Sequence, residues 1–384
     1  MTKLNRGVTL VELMVALAAS SIVTYAAMRL ITGYSHYGRV SHIQADLIDR
    51  GRLAREFITR DVMQAGFYWT HEGQYSDPPV RTGTFGEAGL GQGLTDWPTY
   101  PIVGENSTTA PDLIHVLIPR ADVSGVVAAG GQCCEGSGCT SLTTQPGVAG
   151  LPGTWAIGEL MVVAGTGMTF MTTLSSTGSP TVFNSLVTDG CEDGGALGGE
   201  GVDLASALVA YPVLGVTYAI AAGTTDLYRC ETNDPSAGPM GHDASSVAGD
   251  AACALLERGI EDLQFRYVWS THEMNTPAAA VVECDDPRDV STLFSGGADE
   301  AATFCLSDSK RQRPTEDGSS PGVRLIGVRV MIVTRSMSQD QQNYRDRSQR
   351  PAVFDRAGSG SNDSFRRNRV EWVVTTPNAY AYGT

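Results

Sequence analysis

The amino-acid sequence predicts an α+β protein: a long N-terminal membrane-anchored helix packed on an antiparallel β-sheet, with a cysteine-rich loop insertion. Three observations predict this. Residues 8–28 form an almost unbroken apolar run whose only charge is Glu12. Ile43, Leu47, Ala54, Phe57, Ile58 and Val62 then recur at helical spacing between charged residues. Further on, strand-length apolar or alternating runs are separated by stretches rich in Gly, Pro, Thr and Asp.

Residues 1–7 read as a leader. Lys3 and Arg6 favour the cytoplasmic side, which sends the bulk of the chain outward. The apolar run that follows spans about 30 Å as a helix, one hydrocarbon thickness. A secretory signal would place its small-residue cleavage site after the apolar run. Here Gly7 precedes it, and a carboxylate lies in its first turns. A plain signal anchor gives no reason for Glu12, and an acid in a membrane segment demands a partner. Residues 8–29 are therefore the transmembrane segment, with Arg29 snorkelling at the outer interface. Residues 30–66 continue the same helix in amphipathic form, with Asp46–Arg50 and Asp49–Arg52 as possible face pairs. Gly51 reads as a soft point, because glycine costs about 1 kcal/mol against alanine in a helix, and Gly66 as the stop.

Residues 67–210 form a loop-rich, cysteine-containing insertion with strands. Residues 67–110 read as a long loop over the helix, with Phe67, Tyr68, Trp69, Trp97 and Tyr100 as packing anchors. Residues 113–119 read as a buried strand, and 160–164 with 168–174 as a strand pair. Residues 186–207 are a Gly-rich acidic excursion. Residues 211–384 form the antiparallel sheet of the head. A hairpin joins 213–220 to 227–230 across Gly223. Leu263, Phe265, Tyr267 and Trp269 alternate as one face of a half-buried strand, and 323–334 and 369–375 are two more strands.

The net charge of −15 argues against nucleic acid as a partner, because phosphate contacts need Lys and Arg. Arg335, Arg345, Arg347, Arg350, Arg356, Arg366, Arg367 and Arg369 cluster against that trend. They read as a solvated run, or as a face for an acidic neighbour or for DNA, although no aromatic residues interleave to make a single-strand groove. The eight cysteines, Cys133, Cys134, Cys139, Cys191, Cys230, Cys253, Cys284 and Cys305, read as disulfides in an oxidising compartment. Cys230–Cys253 and Cys284–Cys305 are the favoured pairs, since each closes a loop of modest length. Structural zinc usually shows paired C-x2-4-C spacings, and only Cys134–Cys139 comes close to one.

No cofactor is expected. Calcium is the open alternative, through Asp285, Asp286 and Asp289 or through Asp189, Glu192 and Asp193, although neither group has EF-hand spacing. The chain carries no H-E-x-x-H, G-x-S-x-G or phosphate-loop signature, so no enzyme is expected. His115, in an apolar run, reads as a hydrogen-bonded core residue.

Gly7-Val8-Thr9-Leu10-Val11-Glu12 resembles the processing site of type IV prepilins and type II secretion pseudopilins, with Val8 in place of the usual Phe. The resemblance implies cleavage between Gly7 and Val8 by prepilin peptidase and methylation of the new Val8 amine. It implies that Glu12 receives the N-terminal amine of a neighbouring subunit and sets axial register. Thr9-x-x-Glu12 is also a capping box, and both roles can hold at once. Residues 259–267, 328–336 and 365–374 are similar to the closing strands of minor pilins of the PilW type.

By that resemblance the chain primes pilus assembly from the bacterial inner membrane. It would be single-pass with its C-terminal domain outside the cytoplasm, and would end at the pilus tip. Its partners would be other minor pilins, the major pilin, prepilin peptidase and the inner-membrane assembly platform. A J-type pseudopilin of type II secretion is one alternative, and a tip adhesin or ligand-binding module using the insertion is another.

Overall fold

A computed structural model describes residues 9–65, 102–107, 109–120, 126–129, 143–144, 160–165, 168–176, 182–183, 208–233, 241–272, 280–284, 322–337, 351–354 and 365–376. Helix α1, Leu10–Gln64, has 55 residues and is about 82 Å long at 1.5 Å per residue. Its first half is exposed, from Leu10 at 74 % to Tyr37 at 75 %. Its second half buries Leu47, Gly51, Ala54, Ile58, Asp61 and Val62. Steps of three and four keep these residues on one side, the stripe a helix needs to seat on a core.

Fourteen strands are described: β1 Ile102–Glu105, β2 Leu113–Pro119, β3 Val126–Ala129, β4 Thr143–Thr144, β5 Leu160–Gly165, β6 Met168–Ser176, β7 Val182–Phe183, β8 Leu208–Ile220, β9 Asp226–Thr232, β10 Cys253–Arg258, β11 Ile260–His272, β12 Ala280–Cys284, β13 Gly322–Arg335 and β14 Arg367–Thr375. They make two antiparallel sheets. In the larger sheet, β8 serves twice. Its residues 213–220 pair with β2 on one side and β9 on the other, and β10 extends the sheet from β9. Its residues 208–212 pair with β3 and β5. Through β4, β7 and β6 these pairings close into a ring, which leaves no free edge there. The smaller sheet runs β12-β11-β13-β14.

The core lies where the helix stripe meets both sheets. Ala54, Ile58 and Val62 of α1 pack with Ile114, Val116, Val216 and Tyr218 of the larger sheet. From the smaller sheet they meet Leu263, Phe265, Val330, Ile332 and Trp372. The Trp372 Nε1 donates to Thr59 Oγ1 at 3.0 Å and ties β14 to the helix. On the opposite face of the smaller sheet, Val353 covers Met331 and Val333.

The expected strands at 113–119, 160–164, 168–174, 213–220, 227–230, 323–334 and 369–375 all lie within observed ones. Four local readings change. Residues 102–105 form a strand where a loop was expected, because they pair with β2 from Ile102 opposite Val116 onward; of the remaining loop, 106–107 and 109–110 are described and carry no strand, while 67–101 and 108 lie outside the described residues. Gly51 is a contact point and not a soft one. A Cβ there would stand 3.2 Å from Val370 Cγ2, so its missing side chain lets the helix approach β13 and β14. Strand β11 is more than half-buried, since Asp262 and Gln264 on its supposed outer face are 0 % exposed. The chain around Asp112 covers that face: Phe265 N donates to Asp112 Oδ2 at 2.9 Å, and Gln264 Nε2 to Ala110 O at 3.2 Å. Part of the arginine cluster is engaged in ion pairs within the chain. Arg335 and Arg367 both pair with Glu261, and Arg369 pairs with Glu371.

Candidate functional site

The helix start is built by Thr9, whose extended backbone makes it the N-cap of α1. Glu12 N donates to Thr9 Oγ1 at 3.3 Å, and Thr9 N donates back to Glu12 Oε2 at 3.0 Å. The Thr9 hydroxyl donates to the same carboxylate oxygen at 3.0 Å. This reciprocal cap satisfies donors that the first helical turn leaves open. It also holds the Glu12 carboxylate at the rim of the apolar run, on the exposed surface of the lone chain. Gly7 and Val8 lie outside the described residues.

Beyond Glu12 the helix surface is suited to a medium without water. Among the described residues, α1 is long and apolar enough to cross a membrane, and its apolar window is wholly exposed. Hydroxyls in that window are turned onto the backbone. Ser20 Oγ donates to Leu17 O at 3.0 Å, Ser21 Oγ to Ala18 O at 2.8 Å and Thr24 Oγ1 to Ser20 O at 2.7 Å. Polar groups bonded within the segment lower the cost of leaving water. Arg29 closes the window, with its Nε donating to Tyr25 Oη at 3.0 Å and its guanidinium 5.6 Å from that ring's centre.

The junction between helix and head contains a buried charge that the apolar pattern conceals. Asp61 is 0 % exposed. Its Oδ2 accepts from Tyr218 Oη at 2.6 Å and from Arg229 Nε at 2.7 Å, and its Oδ1 accepts from Arg60 Nε at 2.9 Å. Arg229 also pairs with Glu231. Burial, and then the charge of Asp61, push the Tyr218 phenol far above the ordinary tyrosine range. The cluster fixes one helix residue to two neighbouring strands, β8 and β9, and so sets both the depth and the rotation of the docked half. A second tie lies nearer the middle of α1: Arg50 pairs with Asp46 at 2.9 Å and Glu257 at 3.2 Å, and donates to Arg258 O at 2.6 Å. His115 is buried with Nδ1 2.9 Å from Thr217 Oγ1, as its sequence setting suggested.

Among the described residues, one group of side chains is placed to hold a metal ion: Cys230, His242 and Cys253. A disulfide joins the two cysteines across the β9–β10 pair, closing a loop with a sequence separation of 23. His242 stands against it, with Nδ1 3.9 Å from Cys253 Sγ and 3.0 Å from Asp250 Oδ2. Neither the histidine nor the aspartate is legible as part of a site from cysteine spacing, because both come from a turn within the loop. Cys133, Cys134, Cys139, Cys191, Cys305, Asp285, Asp286 and Asp289 lie outside the described residues, as does the side chain of Cys284.

Residues 2–28 match the family model described as the prokaryotic N-terminal methylation motif. The match covers the leader and the exposed apolar run, and it supports a type IV pilin-like or pseudopilin protein. No curated protein and no solved structure matches the chain.

Proposed function

We propose that the chain is a PilW-like minor pilin that primes type IV pilus assembly and sits in the tip complex. The observation that carries this reading is the methylation motif at residues 2–28, whose described part runs into a helix half with its apolar window uncovered. After cleavage at Gly7, the Val8 amine precedes Glu12 by one helical turn. A neighbouring subunit's amine pairs with Glu12 and replaces the Thr9 hydrogen bonds that hold the carboxylate in the lone chain. Such a pair offsets the cost of a few kcal/mol for placing a carboxylate in lipid. The role is structural: the helix joins subunits, and a bulky head favours a terminal position.

Replacing Glu12 with Gln tests this reading. The expected outcome is loss of surface filaments with an unchanged amount of membrane-bound chain. Filaments at normal levels would overturn it. Immunogold label at filament ends is expected, and even label along the shaft would contradict the tip position. The motif is shared with pseudopilins, so a J-type role in type II secretion predicts a different deletion phenotype: secretion fails while pili persist.

A further inference from the structure

We propose that the dithiol form of the Cys230–Cys253 pair is a binding site for one ion of the zinc class, with His242 as third ligand. This rests on the outward-facing, processed chain of the proposed function and not on its place in a pilus. In the oxidised chain the two sulfurs are bonded to each other, and the imidazole nitrogen lies within 4.8 Å of both; on reduction the sulfurs part to reach ligand spacing. A tetrahedral zinc ion with bonds of about 2.3 Å to sulfur and 2.0 Å to nitrogen holds its ligand atoms roughly 3.5–3.8 Å apart. The 3.9 Å separation between Cys253 Sγ and His242 Nδ1 is close to that span. Asp250 Oδ2, 3.0 Å from the same nitrogen, gives up that hydrogen bond when Nδ1 takes the ion and stands close enough to become the fourth ligand.

The site survives breakage of the disulfide because other bonds shape it. Strand register places Cys230 directly opposite Cys253. The turn that carries His242 is tied by its own hydrogen bonds. Asp243 Oδ1 accepts from Ser245 N at 2.8 Å and from Ser246 N at 2.9 Å, and Asp250 Oδ1 accepts from Ala252 N at 2.8 Å. The backbone adds Ala222 N to Ala244 O at 2.7 Å and Glu231 N to Ala252 O at 2.9 Å. Val247 anchors the turn in a small cluster with Cys230. His242 itself is 7 % exposed, and it is Nδ1 that faces both Cys253 Sγ and Asp250 Oδ2.

The chain is synthesised with both cysteines as thiols, so the dithiol precedes the disulfide. Zinc binding to the thiols forms two Zn–S bonds and releases two protons. Oxidation by an extracytoplasmic disulfide donor forms the S–S bond, passes two electrons to that donor and expels the ion. Metal and disulfide are mutually exclusive because they use the same two sulfur atoms.

The test uses the full mature chain in detergent, oxidised or reduced anaerobically with a phosphine, loaded with Zn²⁺, desalted and assayed for zinc by mass spectrometry. The His242→Asn chain keeps its disulfide, so its fold is checked by circular dichroism before reduction. Reduced wild type is expected to retain about one zinc more per chain than reduced H242N and than a C230S/C253S chain, and oxidised wild type to lack that ion. The other six cysteines are common to every variant and cancel in the difference. Equal zinc in reduced wild type and reduced H242N would overturn the site. Unfolding of the reduced chain that zinc does not reverse would overturn it too.

Discussion

Leu13 and Ile58 lie on one helix and are equally apolar, yet Leu13 is 56 % exposed and Ile58 is 0 % exposed. The difference lies in their neighbours on the helix surface. Between Glu12 and Arg29 no ionised side chain interrupts the surface, so the helix is apolar all round, as a lipid-facing or bundled segment must be. Around Ile58 the outer face carries Arg52, Arg55, Glu56 and Arg60, and only one stripe is apolar. Charge on the far side, rather than hydrophobicity on the near side, tells which half belongs to the head.

The largest break in this comparison comes from Asp61. Replacement by Ala removes the buried acceptor shared by Tyr218 and the part-buried Arg229, and loss of one member of a buried ion pair costs up to about 3–5 kcal/mol. Denaturant unfolding of the head, followed by tryptophan fluorescence, is expected to show that loss. A loss below about 1 kcal/mol would put Asp61 among surface pairs. Next comes Ile58→Ala, expected to cost about 2–5 kcal/mol of head stability as a core truncation. Leu13→Ala should leave the same midpoint unchanged. A shift at Leu13 would mean that the exposed half also packs on the head.

Glycines sharpen the contrast. Gly51→Leu places a side chain against Val370 and should cost about 1–3 kcal/mol by overpacking. Gly33 has nothing within 4 Å of a built Cβ, so Gly33→Ala should be neutral or gain up to about 1 kcal/mol of helix propensity. The smallest effect is electrostatic. Hydrogen bonds from Arg329 and then Arg369 hold the Glu371 carboxyl below the usual glutamate range. A carboxyl lowered in the folded state adds stability above its unfolded pKa and loses it as pH falls through the folded one. Melting profiles from neutral to acid pH should therefore show a slightly shallower acid decline for Glu371→Gln than for wild type.

The long helix was legible because its apolar run and its amphipathic stripe follow one another without a breaker. Eight of the fourteen described strands were legible from apolar or alternating runs, and the Cys230–Cys253 bridge from loop length. Three features were not. Asp61 occupies a stripe position where sequence reading expects an apolar residue, and its partners Tyr218 and Arg229 stand 157 and 168 residues away. The burial of Asp262 and Gln264 depends on the chain near Asp112, which no periodicity within β11 reveals. His242 joins the cysteines only because a turn folds back over the β9–β10 pair. Each miss is a polar group buried by a distant segment, and local pattern carries no information about such a partner.

The proposed pilin role rests on a cleavage that turns an apolar helix into a subunit with a charged amine at its tip. Mass spectrometry of the N-terminal peptide, from protein purified out of membranes, tests it most directly. The expected peptide starts at N-methylated Val8. A peptide that still carries residues 1–7 would contradict it.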